Sequence, residues 1–595
     1  MDRKGIIAVT LAVITLFAWT FFNQREMDRL AAIKRAAAAE EQARAAEEQA
    51  KKAAEQPATL EKPAAATPAS TALAPADAGV PETLETLTGP AVKLTFSNLG
   101  GGITQALLLH HEAEHGQPMV INEFGPAPIG AVSEVAGEAT RAPCTVSRDP
   151  AGNAITFLRT DARQLEIARK FSIPQPGDGA DEYSTRLEIS LTNRSGQPIA
   201  LPGYYVEAGV AAPVHQRDQP MQIGIRVSGG KFIDVNWFAG GGFLGMGRVE
   251  RPTYTESRPD LTWLGVTDQY FTTLLSPPVT EKDAAAQTKQ RGASAWGRRF
   301  DIGDDAWKAS GRSSEGANGP RHGVEAALGM PAVTIAPGQT VTQNFLIYTG
   351  PCEYSRLKRL GSTEEEIMNF GTFGIVSKTL LNALNWLHAK LGSYAAAIII
   401  LTLVIKSLLW PMQNKATQSM KRMQLLTPKM TELKEKYADD PARMNTETMK
   451  LYKDYGVNPM SGCLPMVIQI PIFFGFYNML GKAVELRNSH FLWVHDLSQP
   501  DTVFHLSGIP VNILPLIMAG TMLWQMKISP KSGDAMQQRM FMFMPLIFVY
   551  ICYSYASALA LYWAVQNLFS VAQLYATRNQ AAPQLKKIAA PSKRK

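Results

Sequence analysis

Residues 394–411, YAAAIIILTLVIKSLLWP, form an apolar run that contains one full positive charge, Lys406. At about 1.5 Å per residue in a helix, the run, extended back to residue 391, can cross a hydrocarbon core of roughly 30 Å. A lysine at the centre of a span costs roughly 2.5 to 3.5 kcal/mol on insertion scales, so it tends to face protein or water rather than lipid. Two interpretations of Lys406 stay open: its ammonium lies in a wet cavity, or it reaches the lipid headgroups beside Trp410 and Pro411.

The composition separates two parts of the chain. Of the 595 residues, 46% are hydrophobic, and the mean hydropathy is −0.09, but these averages combine unlike segments. Residues from about 23 to 360 are polar and rich in Gly and Pro, whereas those from about 391 to 577 contain repeated apolar runs of membrane-spanning length. The sequence therefore predicts a membrane protein with a large water-soluble insert.

The formal net charge of +7 has a distinctive placement. Lys and Arg are concentrated in the segments beside the apolar runs and in the C-terminal tail. Such a distribution orients a membrane protein, because short cytoplasmic loops carry an excess of Lys and Arg. The charge therefore gives no support for DNA as a partner.

The N-terminal segment, residues 1–22, has a positive start followed by an unbroken apolar run. This run is longer than the roughly 7 to 15 apolar residues of a cleaved signal peptide, and no A-x-A-like cleavage site follows it. We therefore predict an uncleaved transmembrane anchor with its N-terminus in the cytoplasm. Residues 23–90 are predicted to be a helical and then Ala/Pro-rich linker.

Residues 91–350 show the signals of β-strands. Short alternating runs, such as STRLEISLTN at 184–193 and VTQNFLIYTG at 341–350, are separated by clusters of Gly, Pro, Asn and Asp. Many short strands with such turns bury one face each against a second sheet. We therefore predict a large periplasmic all-β sandwich domain.

Two features of this β domain leave alternatives open. Four aromatic residues either line a carbohydrate-binding groove or, as is commoner, belong to the core: Trp237, Trp263, Tyr270 and Phe271. The two cysteines of the domain, Cys144 and Cys352, either form a disulfide or stay reduced, because sequence spacing does not show proximity.

Residues 363–392 change to a helical period. Apolar residues recur at three- and four-residue spacing from Phe373 to Leu387, but polar residues such as Lys378 and Asn382 interrupt the stripe. The segment is therefore unsuited to crossing a bilayer. It is predicted to be an amphipathic helix in the periplasmic interface of the membrane.

The C-terminal region, residues 393–577, holds the remaining predicted spans. Their approximate bounds are 393–411, 463–481, 508–526, 540–556 and 558–576. The helical hairpin 412–458 and the tail 578–595 are basic, so both are predicted to be cytoplasmic. With the N-terminal anchor, the prediction is a polytopic α-helical membrane protein with six spans and with both termini in the cytoplasm.

The basic hairpin is a candidate for recruiting partners. Its candidate recruitment residues are Lys421, Arg422, Lys434 and Lys436. Met side chains among them adapt to varied apolar partners, so acidic lipid headgroups, RNA or a nascent chain are candidate ligands. The alternative is a solvated loop that only sets the topology.

The predicted spans carry little reactive chemistry. They contain no Asp or Glu, no Ser-His-Asp or HExxH arrangement and no nucleotide-binding loop, so neither an enzyme nor a cofactor or metal site is expected. An ion-coupled transporter would normally need acidic relays or Gly-interrupted helices at the midplane. Besides Lys406, the spans offer neutral polar groups that could hydrate a cavity: Thr402, Gln469, Gln566 and Asn567.

Several long motifs carry a resemblance to a known family. They are LTLVIKSLLWPMQNKATQSMKRMQLLTPKMTELKEKY at 401–437, MKLYKDYGVNPMSGCLPMVIQIPIFFGFYNML at 449–480, FLWVHDLS at 491–498, MQQRMFMFMPLIF at 536–548 and LYWAVQNL at 561–568. In this order they resemble the YidC family of membrane protein insertases. The first span and the β domain resemble its Gram-negative bacterial form, with a weaker likeness in WLGVTDQYFTTLLSPP at 263–278.

The resemblance implies a five-helix insertase core. Such a core encloses a hydrophilic groove that is open to the cytoplasm and to lipid, and its positive charge attracts the client at the position of Lys406. Relatives from Gram-negative bacteria usually have Arg there, so the charge is kept while the guanidinium fork is lost. The resemblance also implies that the client helix leaves past Ile470, Phe473 and Trp563, the last of which is Tyr in many relatives.

The resemblance further implies a function and partners. An insertase integrates and helps fold inner-membrane proteins, alone or with the Sec translocon. Its partners are nascent membrane proteins, the ribosome, the signal recognition machinery and anionic lipids. A channel or solute transporter with a periplasmic sensor domain is the alternative. One departure from the family is Ala556-Ser557-Ala558, which stands where relatives have a Pro-Ser-Gly turn.

Overall fold

The computed structural model describes thirteen stretches of the chain. They are residues 80–113, 116–138, 141–174, 179–215, 224–239, 249–276, 292–312, 321–457, 464–506, 509–529, 543, 545–550 and 552–577. The predicted anchor 1–22, most of the linker 23–90 and the tail 578–595 lie outside these residues. The predicted span 540–556 is described in part.

The first half of the described chain consists of strands. Its twenty strands are β1 Leu84–Thr88, β2 Val92–Ser97, β3 Gly102–Glu112, β4 Pro118–Ile121, β5 Val132–Ser133, β6 Thr145–Arg148, β7 Ala154–Thr160, β8 Leu165–Ser172, β9 Ser184–Asn193, β10 Ile199–Leu201, β11 Tyr204–Ala211, β12 Gly224–Val227, β13 Phe232–Asp234, β14 Thr253–Leu261, β15 Leu264–Thr267, β16 Phe271–Ser276, β17 Gly292–Ile302, β18 Arg321–Met330, β19 Val333–Ile335 and β20 Thr340–Pro351.

Two large antiparallel sheets build the domain. One has nine strands in the order β13-β12-β15-β16-β20-β9-β8-β7-β6, and the other has five in the order β14-β17-β18-β11-β5. Strand β11 of the smaller sheet packs on β15 and β16 of the larger one. The predicted all-β domain is therefore confirmed, with its sheets face to face. A four-stranded sheet, β1 to β4, and the pair β10-β19 complete it.

Strand β9 shows how the sequence produces this core. Leu187, Ile189 and Leu191 are buried, whereas Arg186 and Glu188, which alternate with them, are exposed. Because side chains alternate between the faces of a strand, this order turns the apolar face toward the hydrophobic core. The alternation of polar and apolar residues along β9 therefore produces the buried face of the strand.

The aromatic residues considered for a carbohydrate groove belong mainly to the core. Trp263 and Tyr270 have no exposed surface, and Phe271 is 2% exposed. Trp237 is half-buried, and its ring packs edge-on against that of Tyr254, with a centroid distance of 5.6 Å. The groove interpretation is wrong for Trp263, Tyr270 and Phe271, because no ligand can reach these buried side chains.

The two cysteines of the β domain are free thiols. The guanidinium of Arg169 donates to the sulfur of Cys144 at 3.0 Å. The sulfur of Cys352 lies 3.4 Å from the hydroxyl of Thr267. Each thiol therefore has its own polar partner, and the disulfide alternative is not formed.

Helices dominate the second half. The described helices are α1 Asp304–Ala309, α2 Tyr354–Arg359, α3 Gly374–Leu391, α4 Tyr394–Lys436, α5 Pro441–Asp454, α6 Leu464–Leu480, α7 Ile513–Ile528 and α8 Ser557–Ala576. Residues 545–550 and 552–553 are also helical. Helix α8 packs on α4, α6 and α7, and α3 packs on α4 and α6.

The predicted span 393–411 and the first part of the predicted hairpin 412–458 belong to one continuous helix. Helix α4 runs without a break over 43 residues, through both Pro411 and Pro428, for a length of roughly 65 Å. A proline inside a helix removes one hydrogen bond, and here the carbonyls deprived of it belong to Ser407 and Gln424, which are exposed. Water or headgroups can satisfy both oxygens, so the helix continues.

The second helix of the hairpin begins and ends at residues suited to those positions. The carboxylate of Asp440 accepts from the amide of Arg443 at 3.0 Å, and Pro441 is the first helical residue of α5. Gly456, just after the helix, has φ +61°, a conformation that glycine adopts without strain. Proline and glycine therefore mark the start and the stop, as their backbone preferences predict.

Two predicted boundaries need correction. The single helix predicted over 363–392 begins only at Gly374, because Thr363, Asn369 and Gly371 have positive φ and break the chain before it. Helix α6 resembles α4 in that it continues through a proline, Pro471.

The second correction concerns the predicted span 508–526. Its first residues form strand β22, Ile509–Asn512, which pairs with β21, Thr502–Leu506. Pro510 is compatible with this place because β22 is an edge strand. Helix α7 consequently starts at Ile513.

One helix in the described part of the chain is long and apolar enough to cross a membrane by length and composition, namely α4. Helix α6 has 17 residues and α7 has 16, and both are apolar but shorter. The count of six spans therefore stays a prediction. Residues 554–556 interrupt the helical segment before α8, close to the boundary predicted between the spans 540–556 and 558–576.

The β domain and the helical region are joined by hydrogen bonds to the segment after α6. The side-chain amide of Gln269 donates to the carbonyl of Gly481 at 2.8 Å. The hydroxyl of Tyr270 donates to the carbonyl of Ser498 at 3.2 Å. The guanidinium of Arg487 donates to the carbonyl of Glu112 at 2.6 Å. Part of the motif at 263–278 is therefore a contact between the two regions.

Candidate functional site

Lys406 lies within the helical region rather than at its outer surface. It is 5% exposed, and its ammonium lies 3.3 Å from the hydroxyl oxygen of Ser570 on α8. That hydroxyl in turn donates to the carbonyl of Gln566 at 2.9 Å. Within the described residues, no carboxylate lies at ion-pair distance from this ammonium. The charge is therefore held by neutral dipoles alone.

A cavity of about 230 Å³ adjoins Lys406. Its lining residues are Lys406, Gln413, Thr417, Met420, Gln469, Gln525, Ser529, Gln566, Ser570, Gln573 and Leu574. Most of them are polar and uncharged. One water needs roughly 10 to 15 Å³ of such space and two to four polar partners. The cavity therefore has the size and the chemistry to hold several water molecules.

Helical spacing brings these side chains together. On α8, the lining residues Gln566, Ser570 and Gln573 follow one another at four and three positions, which places them on one face. On α4, Gln413 and Thr417 lie seven and eleven positions after Lys406, again on one face. Two polar stripes on neighbouring helices thus meet across the cavity.

Gln469 links the cavity to the helix pair α6 and α8. Its side-chain nitrogen donates to the side-chain oxygen of Gln566 and to the hydroxyl of Tyr562, both at 3.1 Å. The Tyr562 ring stacks on that of Phe476, with centroids 4.1 Å apart. The hydrogen bonds and the ring stack fix one wall of the cavity.

Two of the neutral polar groups lie away from the cavity lining. Thr402 is 1% exposed, and its hydroxyl donates to the carbonyl of Ile398 at 2.7 Å. The side-chain amide of Asn567 donates to the hydroxyl of Thr521 on α7 at 3.2 Å. Both groups therefore make contacts within or between helices.

Ile470, Phe473 and Trp563 form a side-chain surface beside α6 and α8. Ile470 is 42% exposed and Trp563 is 9% exposed. The Phe473 ring lies 4.8 Å from that of Trp563, and the ring of Phe548 lies 4.3 Å from that of Trp563. An aromatic cluster thus covers most of the indole and leaves the isoleucine open.

The candidate recruitment residues fall into two groups. The ammonium of Lys421 donates to the carbonyl of Thr577 at 3.1 Å, which ties α4 to the end of α8. Arg422, Lys434 and Lys436 are exposed. Lys421 therefore connects two helices, whereas the other three are exposed and contribute positive charge to the surface.

Two protein-family models match this chain. The model of the 60Kd inner membrane protein family matches residues 386–584, and that of the YidC periplasmic domain matches residues 85–383. A membrane protein insertase YidC from Syntrophus aciditrophicus (strain SB) is 32% identical over 540 residues, which cover 87% of this chain and 88% of the relative. The chain belongs to the YidC family. It is accordingly an inner-membrane protein with a periplasmic domain.

Other relatives match a shorter part at higher identity. A membrane protein insertase YidC from Geobacter sp. (strain M21) is 43% identical over 244 residues, 41% of this chain and 44% of that protein. The crystal structure of an active YidC insertase with its first transmembrane domain resolved is 15% identical, covers 86% of this chain and 96% of its own, and has a TM-score of 0.33. The family gives no support to the channel or transporter alternative.

Several cavity residues of this YidC family member were missed in the sequence: Gln413, Thr417, Met420, Gln525, Ser529, Ser570 and Gln573. The signal was present, because residues 413, 417 and 420 continue the face of Lys406. The pattern was overlooked because residues 393–411 and 412–458 were considered as separate segments. The residues on α7 and α8 could not be found in this way, since sequence spacing does not show which helices are neighbours.

The turn that departs from the YidC family pattern is held by hydrogen bonds. The amide of Ser557 donates to the carbonyl of Gln499 at 2.8 Å, and that of Ala558 donates to the carbonyl of Leu497 at 3.0 Å. The Ser557 hydroxyl donates to the carbonyl of Asp496 at 3.2 Å. Residues 496–499 thus cap the start of α8, whose first amides have no partners within the helix.

Asp501, His490 and His495, which follow α6, have contacts within the protein. The carboxylate of Asp501 accepts from the amide of Leu514 at 2.6 Å and from the indole of Trp493 at 3.1 Å. The rings of His490 and His495 are 6.3 Å apart. Among the described residues, no three His, Cys, Asp or Glu side chains are grouped so as to hold a metal ion.

Proposed function

We propose that this chain inserts membrane proteins by holding a polar client segment in the cavity at Lys406 while the apolar client segment passes into lipid. The observation that carries the proposal is the buried ammonium of Lys406 in a polar cavity, without a carboxylate partner in the described residues. An unpaired buried cation is costly. Its retention is best explained by an anionic partner that is bound only transiently.

The cavity lowers a specific barrier. Polar groups of a client must pass through hydrocarbon, where nothing hydrates them and each unsatisfied group costs several kcal/mol. A polar cavity within the membrane shortens that path. The amides of Gln469 and Gln566 replace part of the lost hydration, and the ammonium of Lys406 stabilises an acidic tail by charge.

The apolar segment of the client provides the driving force. Burial of apolar surface yields roughly 25 cal/mol per Å², and this gain is available once the segment moves sideways into lipid. We propose that it passes along Ile470, Phe473 and Trp563. Ile470 supplies exposed apolar surface, and the Phe473 and Trp563 rings form a firm wall behind it. The chain itself needs no nucleotide, cofactor or metal for this step.

The partners follow from the same proposal. They are nascent membrane proteins, with the ribosome, the signal recognition machinery and the Sec translocon delivering or sharing clients. The exposed charges of Arg422, Lys434 and Lys436 offer a docking surface for ribosomal RNA or anionic lipid. We further propose a multi-pass topology in the bacterial inner membrane, with both termini in the cytoplasm and a groove that is open to cytoplasm and lipid.

Reconstitution tests the function. The purified chain in liposomes should integrate a single-span client with a short acidic tail, measured as protease protection of the tail, without releasing an entrapped solute. The control is a chain with Lys406→Glu in the same liposomes, for which protection should fall. Solute release without client protection would favour a channel and overturn the proposal.

A further inference from the structure

The hairpin of β21 and β22 exposes apolar side chains. Val503 is 45% exposed, Phe504 is 52% exposed and Leu506 is 65% exposed. The two strands form a sheet of their own. An isolated two-stranded hairpin is marginal in water, and an exposed apolar strand invites aggregation.

The apolar residues are not confined to a side that faces the protein. Phe504 and Leu506 are two positions apart and share one face of β21, while His505 lies on the other, and all three are exposed. A hairpin on a soluble surface normally buries one face against the core and presents polar groups on the other. Strand β21 instead exposes the apolar side chains of Phe504 and Leu506, so an apolar medium suits this surface better than water.

The base of the hairpin is held in place by polar contacts. The hydroxyl of Thr502 donates to the side-chain oxygen of Asn512 at 2.7 Å, and the amide of Asn512 donates to the carbonyl of Tyr553 at 2.5 Å. The hydroxyl of Tyr553 donates to the carbonyl of Pro510. The direction of the hairpin is thus fixed by the segment before α8.

The hairpin also continues an apolar surface. Asn512 immediately precedes α7, whose residues Leu516 and Ile517 are 51% and 38% exposed. No Lys or Arg occurs from residue 488 to residue 526. Entry of this stretch into lipid would therefore bury no cation.

We propose that the hairpin of β21 and β22 dips into the outer, periplasmic leaflet and contacts lipid at the boundary of headgroups and acyl chains. Burial of Phe504 and Leu506 there removes their apolar surface from water and holds the start of α7 at a fixed depth. The inference rests on the proposed topology, in which α7 crosses the membrane and begins on the periplasmic side. The occupant of this surface is lipid, and no second protein is required.

Spin labels on single introduced cysteines test the proposal in the full chain, reconstituted in vesicles of phosphatidylethanolamine and phosphatidylglycerol. The labelled positions are Phe504, His505, Leu506, Leu516, Val404 and Val135. Accessibility to oxygen and to a nickel chelate reports the surroundings of each label. Val135, 49% exposed in the β domain, is the aqueous reference, and Val404, 49% exposed on α4, is the lipid reference. The unsubstituted chain, whose described cysteines are buried, gives the background.

We expect labels at Phe504 and Leu506 to resemble Val404, with several-fold lower nickel accessibility than Val135. Nickel accessibility equal to that of Val135 at both sites would overturn the hairpin proposal alone, provided that Leu516 resembles Val404. If Leu516 also resembles Val135, the proposed crossing of α7 fails, and the hairpin proposal fails with it. His505 lies on the opposite face of β21, so its label is expected to be more accessible to nickel than the labels at Phe504 and Leu506. If one of the two apolar variants does not fold, the other decides the question alone.

Discussion

The ammonium of Lys406 lies 3.3 Å from the hydroxyl oxygen of Ser570, across the contact between α4 and α8. A hydroxyl orients the lysine without neutralising it, so the positive charge remains available to a client. Most of the polar residues around the pair are amides and hydroxyls. Lys406 is thus buried, and no carboxylate among the described residues neutralises its charge.

This relationship predicts the effect of charge at position 570. Ser570→Asp should pair with Lys406 and lower insertion of a client with an acidic tail about as much as loss of the lysine charge, since a close ion pair cancels the attraction. Ser570→Asn, of matched size and without charge, is the control and should retain most insertion. Rates are measured by protease protection in liposomes. Equal losses for the Asp and Asn variants would show that size rather than charge matters.

Arg487 predicts how the β domain stays docked. The residue is 9% exposed and contacts the carbonyl of Glu112 and the ring of His215. Arg487→Ala removes a hydrogen bond from a charged donor between the two regions, which typically contributes about 1.5 to 3 kcal/mol. We expect earlier proteolysis between the β domain and the helical region, with insertion of simple clients largely kept. Arg148→Ala removes an exposed ion pair and is the control, for which proteolysis should be unchanged.

Glu207 predicts a pH dependence of the β domain. Burial, together with the neighbouring Glu325, raises the pKa of Glu207 from 4.5 to about 8. The folded state therefore keeps a proton that the unfolded state loses, and stability falls as pH rises from about 4.5 to 8. The slope from this group is at most about 1.4 kcal/mol per pH unit.

Substitution of Glu207 checks this dependence. Glu207→Gln should flatten the fall in the unfolding midpoint of the β domain between pH 4.5 and pH 8, followed by tryptophan fluorescence in the full chain. Glu188→Gln, at an exposed position of β9, is the matched control. A slope that is the same in the Glu207 variant and in the unchanged chain would contradict the assignment.

The basic surface predicts a separation of two roles. Changing Arg422, Lys434 and Lys436 together to Gln should weaken sedimentation with ribosomes and make binding less sensitive to salt, because these side chains are exposed. Lys421→Gln should instead lower the thermal stability of the helical region, since its ammonium binds the carbonyl of Thr577. If Lys421→Gln alone removes ribosome binding at unchanged stability, this division of roles is wrong.

The sequence predicted the β domain well, for a local reason. Alternation in a strand such as β9 shows which face is buried, and Gly, Pro and Asn clusters show where strands end. The start of α5 also depends on a local pattern, because Asp440 caps the helix and Pro441 is its first residue. Features of this kind depend on neighbours in the chain.

The candidate site was predictable only in part, because it depends on neighbours in space. Lys406, Gln469 and Gln566 stood out as polar groups in apolar runs, and they line one cavity. Ser570 did not stand out, since a serine in a helix has no special pattern. Thr402 had the right spacing from Lys406, but its hydroxyl donates to its own helix instead.

The continuity of α4 was missed because Pro411 suggested an end. A proline costs a helix about 3 kcal/mol in its interior, yet packing of α4 on α3 and α8 outweighs this penalty. Similarly, β22 was included in a span because its residues are apolar. Composition alone does not distinguish an apolar strand beside a helix from the first turn of that helix.

Insertion of one client with three tails, in four forms of the chain, tests the role of Lys406 most directly. The tail is neutral, acidic or basic, and the chain carries Lys406, Lys406→Arg, Lys406→Ala or Lys406→Glu at matched amounts in liposomes. The account predicts that Arg is nearly neutral, that Ala slows the acidic tail most and that Glu slows it further, with the loss increasing with negative tail charge. A loss of equal size for all three tails would contradict an electrostatic role for Lys406.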